Sequence, residues 1–94
     1  MKAALALALT FVAADPAAAR APLPATVRHF IARRDECDHF RGEVEYDKAR
    51  AAEMAAAFAK YCKGSDADLA RIRRQYRHNR LVLKAVSGYE TRIE

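Results

Sequence analysis

Apolar residues recur at intervals of three and four along most of residues 26–93, which is the spacing of amphipathic helices. The first stripe consists of Val27, Phe30, Ile31, Arg34 and Cys37. It predicts a helix over residues 26–37, with Thr26 as the N-cap. Arg34 is a charged member of this apolar stripe, so its guanidinium requires a carboxylate or carbonyl partner.

A second stripe predicts a helix that begins after its N-cap, Asp47, and ends before Gly64. Its members are Ala51, Met54, Ala55, Phe58, Tyr61 and Cys62. Alanine has the highest intrinsic helix propensity, so this should be the best helix of the chain. The preceding stretch, residues 38–46, fits neither period, and we expect an ordered loop from which Phe40 and Tyr46 reach the core.

A capping-box pattern, Ser65 with Asp68 three residues later, predicts the start of a third helix. The apolar side of this helix consists of Leu69, Ile72 and Tyr76. Asn79 then precedes a new apolar register, which indicates a helix break near this residue and a fourth helix that Asn79 caps. The apolar positions of this fourth helix are Val82, Val86, Tyr89 and Ile93. One continuous helix over residues 66–92 is the alternative. The predicted fold class is therefore all-α, a small bundle of about four short helices.

The N-terminal segment has the pattern of a secretory signal peptide. A charged start precedes an apolar run over residues 3–14, which is too short to span a bilayer as a helix. Small residues then predict cleavage between Ala19 and Arg20. This leaves residues 1–19 as the signal peptide and residues 20–94 as a single small helical domain without a transmembrane segment. We expect the mature chain to be periplasmic or secreted.

The two cysteines can stabilise a domain of this size through a disulfide. A mature chain of this size buries too little surface to be comfortably stable without a covalent link or a partner. Two cysteines without metal-type spacing predict a disulfide between Cys37 and Cys62 in an oxidising compartment. Closing that loop would stabilise the fold by about 3 kcal/mol.

Candidate catalytic and metal chemistry is weakly supported by the sequence. Cys37, His39 and Cys62 could converge on a metal, but their spacing is poor for zinc and oxidised cysteines are not thiolate ligands. His39 and Glu43 could act as an acid and base pair, yet no nucleophile motif or oxyanion loop accompanies them. A structural polar network of Arg34, His39 and Glu43 is the preferred interpretation. We therefore expect no enzymatic activity, catalytic residues, metal or cofactor.

The basic residues form a run that can bind anionic partners. The chain has 17 Lys and Arg residues against 12 Asp and Glu, a net charge of +5. The run contains Arg71, Arg73, Arg74, Arg77 and Arg80. It could bind lipopolysaccharide or anionic lipid headgroups, whereas nucleic acid is disfavoured by export. A solvated helix face is the preferred interpretation of this run, and binding to an anionic surface is the alternative.

The pattern CDHFRGEVEY, followed by Cys62, Gly64 and ADLARIRRQYRHN, resembles a loose group of short exported proteobacterial proteins without an assigned activity. The resemblance covers almost the whole mature chain and implies neither catalytic residues nor a cofactor. The predicted function is a non-catalytic binding or accessory module of the bacterial envelope, with a protein or an anionic component as partner. A lysozyme-type inhibitor is a further alternative, disfavoured because its target would also be basic.

Overall fold

The computed structural model describes residues 23–94, and the predicted signal peptide, residues 1–19, lies outside them. The described residues form four helices and no strand: α1 (Ala25–Arg41), α2 (Lys48–Tyr61), α3 (Ser65–Gln75) and α4 (Arg80–Ala85). The all-α prediction is confirmed. Three helices have 17, 14 and 11 residues, whereas α4 has only six, so the fold has three main helices where about four short ones were predicted. Within this part of the chain, no helix has the length and apolar character needed to cross a membrane.

α1 begins one residue earlier than predicted and ends four residues later. Its N-cap is Pro24, whose carbonyl accepts the first helical hydrogen bonds, so the predicted cap Thr26 lies inside the first turn. At the other end, no helix breaker occurs before Gly42. Asp38 pairs with Arg34 at 3.1 Å and with Arg41 at 2.9 Å, which stabilises the last turns of the helix.

The hydrophobic core lies between α1, α3 and α4. It consists of Val27, Phe30, Leu69, Ile72, Val82 and Val86. Each such side chain contributes roughly 1.5 to 3 kcal/mol when fully removed from water. No residue of α2 belongs to this cluster. The core therefore joins three of the four helices and leaves α2 to be held by other contacts.

α2 packs against α1, away from that core. It buries Met54 and Ala57, and the ring of Phe40 stacks on Tyr61 with 6.0 Å between the ring centroids. The cap prediction is confirmed, since the Asp47 carboxylate accepts a hydrogen bond from the Arg50 amide at 2.7 Å. The prediction for Tyr46 is wrong, because this side chain is 80% exposed on the extended segment before α2.

The disulfide between Cys37 and Cys62 is confirmed, with the two Cα atoms 5.0 Å apart. Cys62 is the C-cap of α2, whereas Cys37 lies within α1, four residues before its last residue. Both cysteines are buried. The bond therefore fastens the end of α2 to the second half of α1.

The boundaries of α3 and α4 are only partly as predicted. Gly64, with a φ of 81°, is the N-cap of α3 and has no side chain with which to cap it. Ser65 is the first residue of the helix, so its predicted capping-box role is wrong. The break before α4 is confirmed, because the Asn79 side chain accepts a hydrogen bond from the Val82 amide at 3.2 Å. α4 ends at Ala85, and the last predicted apolar positions continue in irregular chain.

Replacing both cysteines with serine should lower the melting temperature by roughly 10 to 20 °C, since about 3 kcal/mol is lost in a domain of this size. The loss should be greatest in α2, because α2 shares no residue with the main core. Hydrogen exchange should show faster exchange for α2 amides than for α1 and α3 amides in this variant. The oxidised wild-type protein is the control. An unchanged melting curve, or equal acceleration in all helices, would contradict this account.

Candidate functional site

The most constrained polar group of the described structure is the guanidinium of Arg34, a residue that is 1% exposed. Its three nitrogens all donate hydrogen bonds: Nε to Asp38 at 3.1 Å, Nη1 to the Ser65 hydroxyl at 2.9 Å, and Nη2 to the Glu90 carbonyl at 2.7 Å. The group also lies 5.5 Å from the ring centroid of Tyr89. This arrangement joins α1, the start of α3 and the C-terminal segment, so it is structural.

The predicted network of Arg34, His39 and Glu43 is corrected, because these residues fall into two separate groups. Since α1 continues past Cys37, Asp38 lies one turn beyond Arg34 and takes the place predicted for Glu43. His39 contacts Glu43 at 3.1 Å, and Glu43 also pairs with Arg50 of α2. The His39 side chain is 65% exposed. The contacts of Glu43 with His39 and Arg50 therefore link the end of α1 to α2 at the surface.

Tyr89 fastens the C-terminal segment to α1. Its ring packs edge-on against Phe30, with 5.6 Å between centroids, and its hydroxyl donates a hydrogen bond to Asp35 at 2.6 Å. Partial burial, followed by the hydrogen bond to Asp35 and the negative charge of that carboxylate, raises the pKa of Tyr89 well above its usual value. The apolar stripe identified Tyr89 as a core-facing position but placed it on a helix.

A reciprocal pair of carboxylates, which the sequence analysis missed, lies at the N-terminus of α3. Asp66 accepts hydrogen bonds from the amides of Ile93 and Glu94, and the Glu94 side chain accepts them from the amides of Gly64 and Asp66. The Ile93 amide is the main cause that lowers the pKa of Asp66, and the Gly64 amide is the main cause for Glu94. The pair connects residues 28 positions apart, which no local pattern indicates.

Two members of the predicted arginine run are engaged within the fold. Arg71 donates a hydrogen bond to Asp68 at 2.6 Å. Arg73 donates to the carbonyls of Val86 at 3.2 Å and Tyr89 at 3.5 Å, just after the end of α4. Cationic donors are favourable at this position because the last carbonyls of a helix lack intrahelical partners. Each of these two side chains therefore uses part of its hydrogen-bonding capacity within the domain.

The other three members lie around the turn between α3 and α4. We call Arg74, Arg77 and Arg80 the basic corner; all three are exposed. None of them forms an ion pair with a carboxylate within residues 23–94, and Arg77 Nε donates a hydrogen bond to the neighbouring His78 ring at 3.2 Å. Leu81, in the next turn, is 54% exposed. The basic corner therefore combines uncompensated positive charge with one exposed apolar side chain.

No metal site is evident in the described part of the chain. Residues 23–94 contain no group of three or more His, Cys, Asp or Glu side chains arranged to hold a metal ion. The sulfurs of Cys37 and Cys62 are bonded to each other and are not thiolate ligands.

Comparison with known proteins adds no functional assignment: no protein family, curated protein or solved structure matches this chain. Inference about its function therefore depends on the geometry and charge of its own residues.

Replacing Arg34 with methionine should destabilise the domain by about 2 to 3 kcal/mol, because the buried Ser65 hydroxyl and the Glu90 carbonyl lose their donor. Chemical denaturation measures this difference. The matched control is Arg74→Met, which removes an exposed arginine and should change the stability by no more than about 0.5 kcal/mol. An Arg34→Met variant as stable as the wild type would contradict this prediction, because it would show that apolar packing compensates for the lost hydrogen bonds of Arg34.

Asp66→Asn should reduce stability at neutral pH, and its difference from the wild type should shrink as the pH falls below about 4. The pKa of Asp66 is lowered in the folded state, so its contribution is complete above the unfolded pKa and is lost on acidification through the folded pKa. Melting temperatures across this pH range measure the effect. The exposed Glu36, changed to Gln, is the control. A difference between Asp66→Asn and wild type that does not change with pH would contradict the assignment.

Proposed function

We propose that this domain is a non-catalytic binding module of the bacterial envelope that binds anionic surfaces through the basic corner. The observation that carries the proposal is the absence of carboxylate partners for Arg74, Arg77 and Arg80 within the described residues. Arg71 and Arg73, by contrast, are engaged with groups of the domain itself. An arginine without an internal acceptor keeps its donors and its field available to a partner.

The chemistry of the basic corner suits phosphate-rich surfaces such as anionic lipid headgroups or lipopolysaccharide. Arginine donates planar, paired hydrogen bonds that match phosphate oxygens. Each basic residue close to an anionic membrane surface contributes about 1 kcal/mol, so the three arginines together would supply about 3 kcal/mol. Leu81 lies beside them and can enter the interfacial region.

The presence of a disulfide supports the choice of an envelope partner, because such bonds persist in oxidising compartments. The buried disulfide is typical of exported proteins, and the resemblance to short exported proteobacterial proteins points the same way. A lysozyme-type inhibitor receives no support from this charge distribution, because the basic corner would repel a basic enzyme.

The test is binding of the full chain to vesicles that contain phosphatidylglycerol, compared with neutral phosphatidylcholine vesicles. Binding should require the anionic lipid and weaken steeply with salt. Changing Arg74, Arg77 and Arg80 together to Gln should weaken it about 100-fold, which corresponds to about 3 kcal/mol.

The matched control changes the exposed Lys48, Lys60 and Lys63 to Gln, which removes the same charge from another part of the surface. Its binding should stay close to that of the wild type. Absence of binding at low salt, or equal weakening in both triple variants, would overturn the proposed surface.

A further inference from the structure

A second basic site lies in a groove between α1 and α3, apart from the basic corner. The groove has a volume of about 250 Å³. Its lining includes two apolar side chains and four polar or charged ones: Phe30, Ile72, His29, Arg33, Asp68 and Arg71.

The floor of the groove is apolar and rigid. Phe30 and Ile72 are 7% and 1% exposed, and both belong to the main hydrophobic core. Only a small part of Phe30 and almost none of Ile72 remains open to solvent, so this floor offers van der Waals contact to a small apolar body rather than a large hydrophobic contribution. The volume is below that of a site for a drug-sized molecule, so the occupant must be small.

At the wall of the groove, the Asp68 carboxylate pairs with the guanidinium groups of Arg71 and Arg33. Asp68 lies 2.6 Å from Arg71 and 3.5 Å from Arg33, and Arg33 also donates to the Lys63 carbonyl. The two arginines and one aspartate leave one positive charge uncompensated. Each guanidinium has five N–H donors, so both retain donors for a second oxyanion. The exposed ring of His29 adds a further polar group at the rim.

The guanidinium of Arg33 has one N–H group without a hydrogen-bond partner. Its Nε is the one buried side-chain nitrogen or oxygen within residues 23–94 that lacks a hydrogen-bond partner. A buried unpaired donor is destabilising, and the 3.5 Å contact to Asp68 is too long to be a strong hydrogen bond. A better acceptor in the groove would therefore allow the guanidinium to reorient and satisfy this N–H group.

We propose that this groove binds small molecules that carry one carboxylate or phosphate group on an apolar body. The oxyanion binds Arg33 and Arg71, and the body lies on Phe30 and Ile72. This site is independent of the basic corner, because it uses different arginines and a concave surface.

The test is a titration of the full-length protein with phenyl phosphate and with benzoate, followed by NMR. Either compound should cause saturable shifts of the Ile72 methyl groups and of the Arg33 Nε–H signal, with a millimolar dissociation constant. Inorganic phosphate should bind more weakly because it leaves the apolar floor uncovered, and phenol should bind more weakly because it lacks the oxyanion. The tighter of the two aromatic anions identifies whether phosphate or carboxylate is preferred.

Arg71→Gln should weaken the tighter compound at least about tenfold, as expected for the loss of a hydrogen bond to a charged group. Lys48→Gln removes the same charge from an exposed position of α2, outside both the groove and the basic corner, so it should bind as the wild type does. Shifts confined to residues 74–80, no saturable shifts with either compound, or equal weakening in both variants would overturn the proposal.

Discussion

The fold depends on the burial of one guanidinium. Arg34 lies in the apolar stripe of α1, where an unpaired charge would be strongly unfavourable, so the chain must bring acceptors to it. Those acceptors come from Asp38 one turn away, from Ser65 at the start of α3 and from the Glu90 carbonyl beyond α4. A different packing of α3 or of the C-terminal segment would leave these groups unpaired. The hydrogen bonds of Arg34 therefore restrict how α3 and the C-terminal segment can pack against α1.

The stability of the domain has two separate sources, and the candidate sites depend on only one of them. The hydrophobic core and Arg34 hold α1, α3 and the segment after α3, whereas α2 is attached through the disulfide, the Phe40 and Tyr61 stack, and a few buried side chains. The groove lies between α1 and α3, and the basic corner lies where α3 meets α4. Both sites therefore belong to the part of the domain that does not require α2 for its packing.

Local sequence signals predicted the features that depend on local interactions. Asp47 and Asn79 cap the helices that follow them because their side chains reach amides three residues ahead. The partners of Arg34 were not predictable in the same way, because Ser65 and Glu90 are 31 and 56 residues distant along the chain. Periodicity could identify Arg34 as a buried charge, but only the three-dimensional arrangement could identify the groups that bind it.

The arginines of α3 and the following turn show why a count of charges does not define a binding surface. The sequence contains one basic run, but the arginines of this run differ in how many hydrogen-bond donors the fold leaves available to a partner. Arg73 is engaged with backbone carbonyls, Arg71 shares Asp68 with Arg33 in a groove, and the basic corner has no carboxylate partner among the described residues. Exposed arginines without carboxylate partners suit an extended anionic surface, whereas two guanidinium groups above an apolar floor suit a small oxyanion. The two proposals thus follow from one residue type in two geometries, and each geometry is determined by which acceptors the fold supplies.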